Sequence, residues 1–526
     1  MKKYFKIFFS RFFFIALTII LLFLIDVVVV VGGVRLLTEL FYFYFPTPGA
    51  WARWILKVIE WLILIITVLN IVNRDMLPET KIPWLLCVIG LNVFGVAIYI
   101  VFSHNRPSRR QRRKYLQLVE HSRAYIDSSV TQEETDAALE NWADVVGSIQ
   151  KQDGTSMFYR GTKTRYFPTG EKFFQSFLDD LKHAERYIFL EYFILARGKM
   201  WYETLDVLKA KVKDGVEVRV MYDDIGCMGK IRAGYYKSLR KAGIKCVKFN
   251  PFVPVVTNVH NFRDHRKIAV IDGKIGYTGG INLSDEYINE THPFGQWKDT
   301  AVRLEGEGVR GLILMFLHLY NLRTKETEDF APYLSDTYEA FEDEGYVRPY
   351  GDGPRPLYKS QIGEETYINV LTHASKYVYI MTPYLIIDYR MRSAIVSAAL
   401  RGVDVRIIVP HIPDKKIPFA LTRSNYPALI KAGVKIYEYT PGFIHAKNFL
   451  ADDEVAIVGT INLDYRSLLH HFENAVFMYG TKAVGELKSD FDETFAVSKL
   501  QTAESARKNI FWRAICEVAK VFAPLF

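Results

Sequence analysis

The sequence predicts an α/β protein made of two copies of one sandwich half, preceded by an apolar helical region. Three observations predict it. The first hundred residues hold three long apolar segments, the remainder repeats its pattern of helices and strands once, and each repeat ends in the same histidine and lysine hairpin. A length of 526 residues suits a membrane region plus two or three domain-sized units.

The apolar segments come first, at about 12–32, 51–72 and 82–103 within a membrane region of residues 1–105. The first carries only Asp26, the second has Arg53, Lys57 and Glu60 in its first half, and the third has no charge. A bilayer core needs about 20 apolar residues as helix, so the first and third qualify. The second spans if its charged end lies at the interface. The first run is longer than a signal-peptide core and no small-x-small cleavage site follows it, so it reads as an uncleaved anchor.

Charge follows the same division. Residues 1–114 hold 15 Lys and Arg against 5 Asp and Glu, so this stretch accounts for the net +9 of the whole chain and the rest is near neutral. A nuclease grips its polyanion with a basic groove, so nucleic acid is not the expected partner. Basic residues beside apolar spans meet anionic lipid head groups instead. Lys2, Lys3, Lys6 and Arg11 precede the first span, and Arg106, Arg109, Arg110, Arg112, Arg113 and Lys114 follow the third. Three full crossings cannot keep both clusters on one side, which leaves the side of the N-terminus open. Cys87, Cys227, Cys246 and Cys516 lack zinc or disulfide spacing and read as thiols in a reducing compartment.

Residues 106–153 read as a basic juxtamembrane stretch and a linker helix, polar and helical in pattern from Gln111 to Asp153. The two halves follow at 154–345 and 346–500. Ala184 to Tyr192 parallels Ala374 to Tyr384, Gly215 to Tyr222 parallels Gly402 to Val409, and Ala242 to Lys245 parallels Ala432 to Lys435. Each half reads helix, strand, helix, strand, helix, strand and hairpin, the pattern of a largely buried sheet between layers. Residues 501–526 predict an amphipathic helix with Phe511, Ile515, Val518 and Phe522 on one face, read as core-packing, with an interfacial membrane helix as the alternative.

The hairpins share one template. His265, Lys267, Asp272, Gly279 and Asn282 recur at identical spacing as His445, Lys447, Asp452, Gly459 and Asn462. Residues two apart in a strand face one way, so each half offers an imidazole beside an ammonium. One such motif arises by chance at about one position in ten thousand, but two with matching Gly and Asn offsets are specific.

These motifs, with Phe443 to Lys447, Val458 to Ser467 and Asn73-Arg74-Asp75 before an apolar span, resemble the phospholipase D superfamily and bacterial cardiolipin synthases within it. The similarity covers about residues 50–500. It implies two phospholipase D-like α/β sandwich halves related by a pseudo-twofold axis, with both His-Lys pairs in one cleft. It also implies a two-helix membrane hairpin at the second and third apolar segments and a cytoplasmic catalytic part in the cell membrane. By the resemblance, His265 is the nucleophile that forms a phosphatidyl-histidine and His445 the general acid and then base; the symmetry of the sequence does not itself assign these roles. The implied reaction transfers a phosphatidyl group between two phosphatidylglycerol molecules, giving cardiolipin and glycerol.

The residue chemistry is consistent with that. Neutral imidazole is a good nucleophile near pH 7, while Lys267, Lys447, Asn282 and Asn462 surround the phosphate oxygens. Fixed cations there do the work of a metal, no cofactor is expected, and no His or carboxylate cluster is spaced for a divalent ion. Asp272 and Asp452 complete the two catalytic sets, although each falls at the hairpin turn, where a structural part is expected. Asp299 and Glu473 match the family's downstream acid and are candidates to orient the imidazoles. One departure is Gly280, where the wider superfamily often has Ser. Hydrolysis by water, or transfer to another head group, stays open as an alternative reaction, and the oligomeric state is not legible.

Overall fold

The structure, a computed structural model, describes residues 50–525 apart from 104–107, 126–133, 135–136, 138, 140–141, 153–156, 253–260, 325–328, 335–337, 340, 342–344, 503 and 505–509. The first apolar segment and the cluster Lys2 to Arg11 lie outside the described residues, as do the side chains of Phe511 and Ile515. Packing divides the chain into an N-terminal unit ending at Arg106 and a larger one that takes most of Pro107–Lys520.

The N-terminal unit is a helical hairpin of α1 (Ala50–Asn73) and α2 (Pro78–Phe102), 24 and 25 residues long. A rise of about 1.5 Å per residue makes each about 36 Å, enough for a hydrocarbon core of about 30 Å. Ile71, Trp84, Val88, Val96 and Tyr99 pack between them. Trp54, Ile59, Ile66, Leu86 and Ile89 face outward, exposed. An apolar exterior of this kind is solvated by lipid, so the hairpin associates the protein with a membrane. Glu60 is met by the Asn92 amide at 2.8 Å, where α2 leaves helical geometry with φ 56°.

In the larger unit the linker expectation is corrected. Among the described residues of this stretch, α3 (Arg109–Ser122) and α4 (Ala143–Gln152) are separate helices, and both are docked. Tyr115 and Leu118 of α3 are buried, and so are Val145, Val146 and Ile149 of α4. Their apolar residues recur at helical spacing among the polar ones, which is what lets each helix join a core.

The first half then runs β1 (Tyr159–Arg160), β2 (Lys163–Phe167), α5 (Gly170–Lys182), β3 (Tyr187–Tyr192), α6 (Lys199–Lys213), β4 (Glu217–Asp223), α7 (Tyr235–Lys241), β5 (Lys245–Phe249), β6 (Lys267–Ile271), β7 (Ile275–Gly279), β8 (Gln296–Lys298), β9 (Ala301–Glu305) and α8 (Val309–Arg323). The second runs β10 (Tyr346–Asp352), α9 (Ile362–His373), β11 (Tyr377–Met381), β12 (Leu385–Ile386), α10 (Tyr389–Leu400), β13 (Asp404–Pro410), α11 (Lys416–Ser424), α12 (Tyr426–Lys431), β14 (Lys435–Tyr439), β15 (Gly442–Ile444), β16 (Asn448–Ala451), β17 (Val455–Gly459), β18 (Leu463–Asp464), α13 (Tyr465–Leu469), β19 (Glu473–Tyr479), α14 (Lys482–Ala496) and β20 (Ser498–Leu500).

The duplication is visible in the sheets. One is ordered β2-β9-β7-β6-β3-β4-β5, and the other repeats it as β10-β19-β17-β16-β11-β13-β14, with β1 and β20 added at its edges. In both, three parallel strands meet an antiparallel hairpin, with β3 beside β6 and β11 beside β16. One face of each sheet carries its own helices over a private core. The other faces share a single core with residues from both halves, among them Phe189, Val270 and Val302 opposite Tyr379, Leu450 and Val476. Helix α8 lies in that shared layer with nearly every side chain buried, as an apolar-all-round core helix should.

The motif aspartates explain the hairpins. Asp272 and Asp452 adopt left-handed conformations with φ 54° and 56°. The Asp272 carboxylate accepts the backbone N–H groups of Glu185, Arg186 and Tyr187 at 2.7 to 2.9 Å, and Asp452 accepts those of Ser375, Lys376 and Tyr377 at 2.7 to 2.9 Å. Each turn is thereby stapled to the start of the neighbouring central strand. The C-terminal helix, α15 (Ile510–Phe522), packs through Cys516, which is 5% exposed, whereas Val518 is 62% and Phe522 39% exposed. The face expected to pack is therefore corrected: two residues on from Cys516 the helix has turned about 200°, and Val518 points away.

Candidate active site

Neither motif histidine sits in its strand. Strand β6 begins at Lys267 and β16 at Asn448, so His265 and His445 occupy extended lead-ins that leave their own sheet and pair with the other half. The His265 N–H donates to the Phe472 carbonyl at 2.9 Å, and the Phe472 N–H donates to the Arg263 carbonyl at 2.8 Å. In the second motif the His445 N–H donates to the Lys298 carbonyl at 2.7 Å, extending the parallel pairing of β15 with β8. Each histidine is thus strapped beside the downstream acid of the opposite half.

The side chains complete that exchange. His265 Nδ1 lies 2.9 Å from Glu473 Oε2, and His445 Nδ1 lies 2.6 Å from Asp299 Oδ2. All four are buried, the two carboxylates completely. Lys267 Nζ donates to the His265 carbonyl at 2.6 Å. Lys447 Nζ reaches the His445 carbonyl too, and also lies 2.8 Å from His445 Nδ1. The two sets are electrostatically one site, since Lys447 lowers the proton affinity of Lys267 and Glu473 raises that of both lysines.

Beyond that common plan the two sides differ. The Thr460 hydroxyl donates to Glu473 Oε2, and the Ser467 hydroxyl donates to Oε1 at 2.5 Å. The position equivalent to Thr460 is Gly280, where an added Cβ would stand 2.0 Å from Asp299 Oδ1. Asp299 therefore fills the space a side chain would need, and it receives the Thr300 backbone N–H at 2.8 Å instead of two hydroxyls.

Proton affinities follow from these surroundings. Burial pushes the Asp299 carboxyl up to about 7, against the pull of Lys447. Burial would raise Glu473 as well, but His265 and His471 facing it hold it well below the usual carboxylate range. Burial lowers His265 to about 3 and His445 well below its ordinary value, so both imidazoles are neutral in the empty cleft. Burial also brings Lys267 down to about 7 and Lys447 to about 8. An anion bound between the two lysines would restore both charges.

The remaining expected residues divide. Asp272 and Asp452 do not join the cleft. They lie about 17 Å along the strand from the motif lysines, at roughly 3.3 Å per residue, and their carboxylates are spent on backbone amides, so their place in the catalytic sets is corrected. Asn282 accepts the Ile194 N–H at 3.0 Å and donates to the Tyr287 hydroxyl at 2.7 Å, so it holds scaffold. Asn462 keeps a buried side-chain oxygen without a partner.

Several residues at the site carried no role in the sequence reading. Phe193 packs on His265 with ring centres 5.0 Å apart, and Tyr287 and Trp297 pack on His445 at 5.6 and 5.5 Å. These rings exclude water and lower the local dielectric. His471 lies against His265 with ring centres 5.5 Å apart. Adjacency to Glu473 was its one trace in the sequence. Among the described residues, His265, His471 and Glu473 bring ligand atoms within 4.8 Å of one another. Two are contributed by one half and one by the other, which spacing along a chain does not reveal.

Comparison with known proteins agrees with this geometry. The family described as "Cardiolipin synthase, PLD-like domain" matches twice, at residues 177–294 and 367–495. A cardiolipin synthase of Alkalihalophilus pseudofirmus is 34% identical over 482 residues, covering 90% of this chain and 95% of its own length. An uncharacterized protein of Streptococcus mutans is 46% identical over 464 residues, covering 87% of this chain and 99% of its own. Among solved structures, phosphatidylserine synthase from Haemophilus influenzae shares the fold with a TM-score of 0.55 at 14% identity, over 73% of this chain and 98% of that one. Two phospholipase D-like repeats and curated relatives along nearly the whole chain lead to one conclusion: it belongs to the bacterial cardiolipin synthase family of the phospholipase D superfamily and is a phosphatidyltransferase.

Proposed function

We propose that the enzyme transfers a phosphatidyl group from one phosphatidylglycerol to the head-group glycerol of another through a covalent intermediate on His265, releasing free glycerol. The observation that carries the assignment is the asymmetry between the two imidazole and carboxylate pairs. Glu473, held as an anion by Thr460 and Ser467, accepts the His265 Nδ1–H, which leaves the Nε2 lone pair for attack on phosphorus. At His445 the buried Asp299, protonated below about 7, donates to Nδ1 at 2.6 Å, which makes that nitrogen an acceptor and puts the proton on Nε2, the tautomer of a general acid.

In the first step His265 Nε2 bonds to phosphorus and the bond to glycerol oxygen breaks, taking the Nε2 proton of His445. Asp299, protonated below about 7, passes its proton to His445 Nδ1, so the imidazole stays neutral. The second step runs the same relay backwards. His445 Nε2 takes the proton of the acceptor hydroxyl as its oxygen displaces His265. Lys267, Lys447 and the Nδ2 donor of Asn462 hold the phosphate oxygens, where charge is concentrated throughout.

Transfer is favoured over hydrolysis when the acceptor is a lipid and water is excluded, as by the aromatic walls around both imidazoles. In this reading the hairpin α1 and α2, long and apolar enough to span, crosses the membrane twice, and the exposed Arg109, Arg110, Arg112 and Arg113 of α3 favour a cytoplasmic catalytic part near anionic lipids. Incubating purified enzyme with phosphatidylglycerol labelled in its phosphate tests the reading. Free glycerol with a four-chain lipid, and label trapped on His265, are the expected products. Phosphatidic acid would make it a hydrolase, and label on His445 alone would reverse the two roles.

A further inference from the structure

Outside the relay, the site holds one histidine without a task. His471 is half-buried, and its Nδ1 has no hydrogen-bond partner. It lies 3.6 Å from Glu473 Oε1, while His265 Nδ1 lies 2.9 Å from Oε2 of the same carboxylate. All three groups offer ligand atoms within 4.8 Å of one another. A tetrahedral zinc ion with bonds of about 2.0 to 2.2 Å holds its ligands roughly 3.3 Å apart, so ligand atoms already within 4.8 Å need to close by no more than about 1.5 Å. Two imidazoles and a carboxylate are also a donor set that zinc accepts, with water in the fourth position.

We propose that His265, His471 and Glu473 form a binding site for a divalent transition ion of the zinc type, and that the bound ion switches the transferase off. The inference rests on His265 acting as nucleophile. The chemistry is a change of tautomer. In the metal-free enzyme His265 keeps its proton on Nδ1, facing Glu473, and attacks through Nε2. An ion on Nδ1 displaces that proton, and solvent returns a proton to Nε2, so the ring stays neutral and loses no net charge. Nε2 then carries hydrogen where it needs a lone pair. Glu473, now a ligand, no longer orients the ring. Asp299 and His445 lie outside this group of ligand atoms and take no part. The site is a brake on the first half of the cleft alone.

Binding is tested apart from turnover. Full-length enzyme in detergent micelles is titrated with zinc by calorimetry and with cobalt by visible absorption. One ion per chain and the intense bands of tetrahedral cobalt are expected, and His471→Asn and His471→Gln should each weaken binding at least ten-fold. Zinc should raise the thermal midpoint of the wild type and leave that of both variants unmoved, which also reports that the variants are folded. Phosphatidyl transfer, normalised to each protein's own metal-free rate, should need at least ten-fold more zinc for half inhibition in the variants. Absence of stoichiometric binding, or binding unchanged by both substitutions, overturns the site. Zinc that binds at His471 and leaves the transfer rate untouched overturns the brake, and a trapped label absent from His265 in metal-free enzyme shows instead that the underlying assignment is at fault.

Discussion

His265 and Glu473 stand 208 positions apart in the chain and 2.9 Å apart in space. His445 and Asp299 repeat the relationship in the other direction across 146 positions at 2.6 Å. Each half of the protein therefore orients the imidazole of the other. Neither half contains a complete set of catalytic parts, and the shared core that presses the two sheets together is also what assembles the chemistry.

Glu473→Gln tests the first pair. The amide keeps the shape but does not hold the Nδ1–H as an anion does, so the ring no longer prefers the tautomer with a free Nε2. The expected fall in kcat is about 10² to 10⁴-fold with little change in KM. Glycerol release from phosphatidylglycerol measures it, and an equal loss in KM would mean that Glu473 serves substrate binding.

The second pair predicts a pH profile. Burial lifts Asp299 to about 7, and its protonated form feeds the relay. Below that pH the proton is present and kcat is flat; above it the competent fraction drops about tenfold per unit, so kcat falls as pH rises. Asp299→Asn should lower kcat and abolish this falling limb. A limb that persists near 7 in the variant belongs to another group, Lys267 being the first to examine.

Gly280 predicts an intolerance. A side chain there would press on Asp299 Oδ1 at 2.0 Å, so Gly280→Ala should displace the carboxylate and cut kcat at least tenfold. Thr460→Ser keeps the hydroxyl that Glu473 uses and should be mild, whereas Thr460→Val should not. Parallel rate measurements decide this, and an active Gly280→Ala would show that Asp299 moves freely.

Asp272→Ala addresses stability rather than chemistry. It removes an acceptor for three backbone N–H groups, for a loss of about 2 to 4 kcal/mol. Denaturant titration should show a lower midpoint. If stability held while kcat collapsed, Asp272 would return to the catalytic group.

Much of this was legible in the sequence. Near-continuous apolar runs in Tyr187 to Tyr192 and Tyr377 to Met381 announce strands buried on both faces, and two matched hairpins announce a duplicated site. Asp272 was correctly expected at a turn, since Asp followed by Gly favours left-handed backbone. The docking of α3 and α4 and the packed face of α15 were not legible, because a pattern of apolar residues reports that a helix buries a face without saying against what.

By itself the sequence determined the repeated unit, the two His-Lys pairs, the apolar hairpin and the family. Only the tertiary structure decided that Glu473 serves His265 and Asp299 serves His445, that His265 and His471 hold Glu473 low in proton affinity while burial raises Asp299, and that His471 joins them. Spacing along a chain encodes what one strand or helix presents, whereas these relationships arise where two sheets meet, between residues that have no periodicity in common.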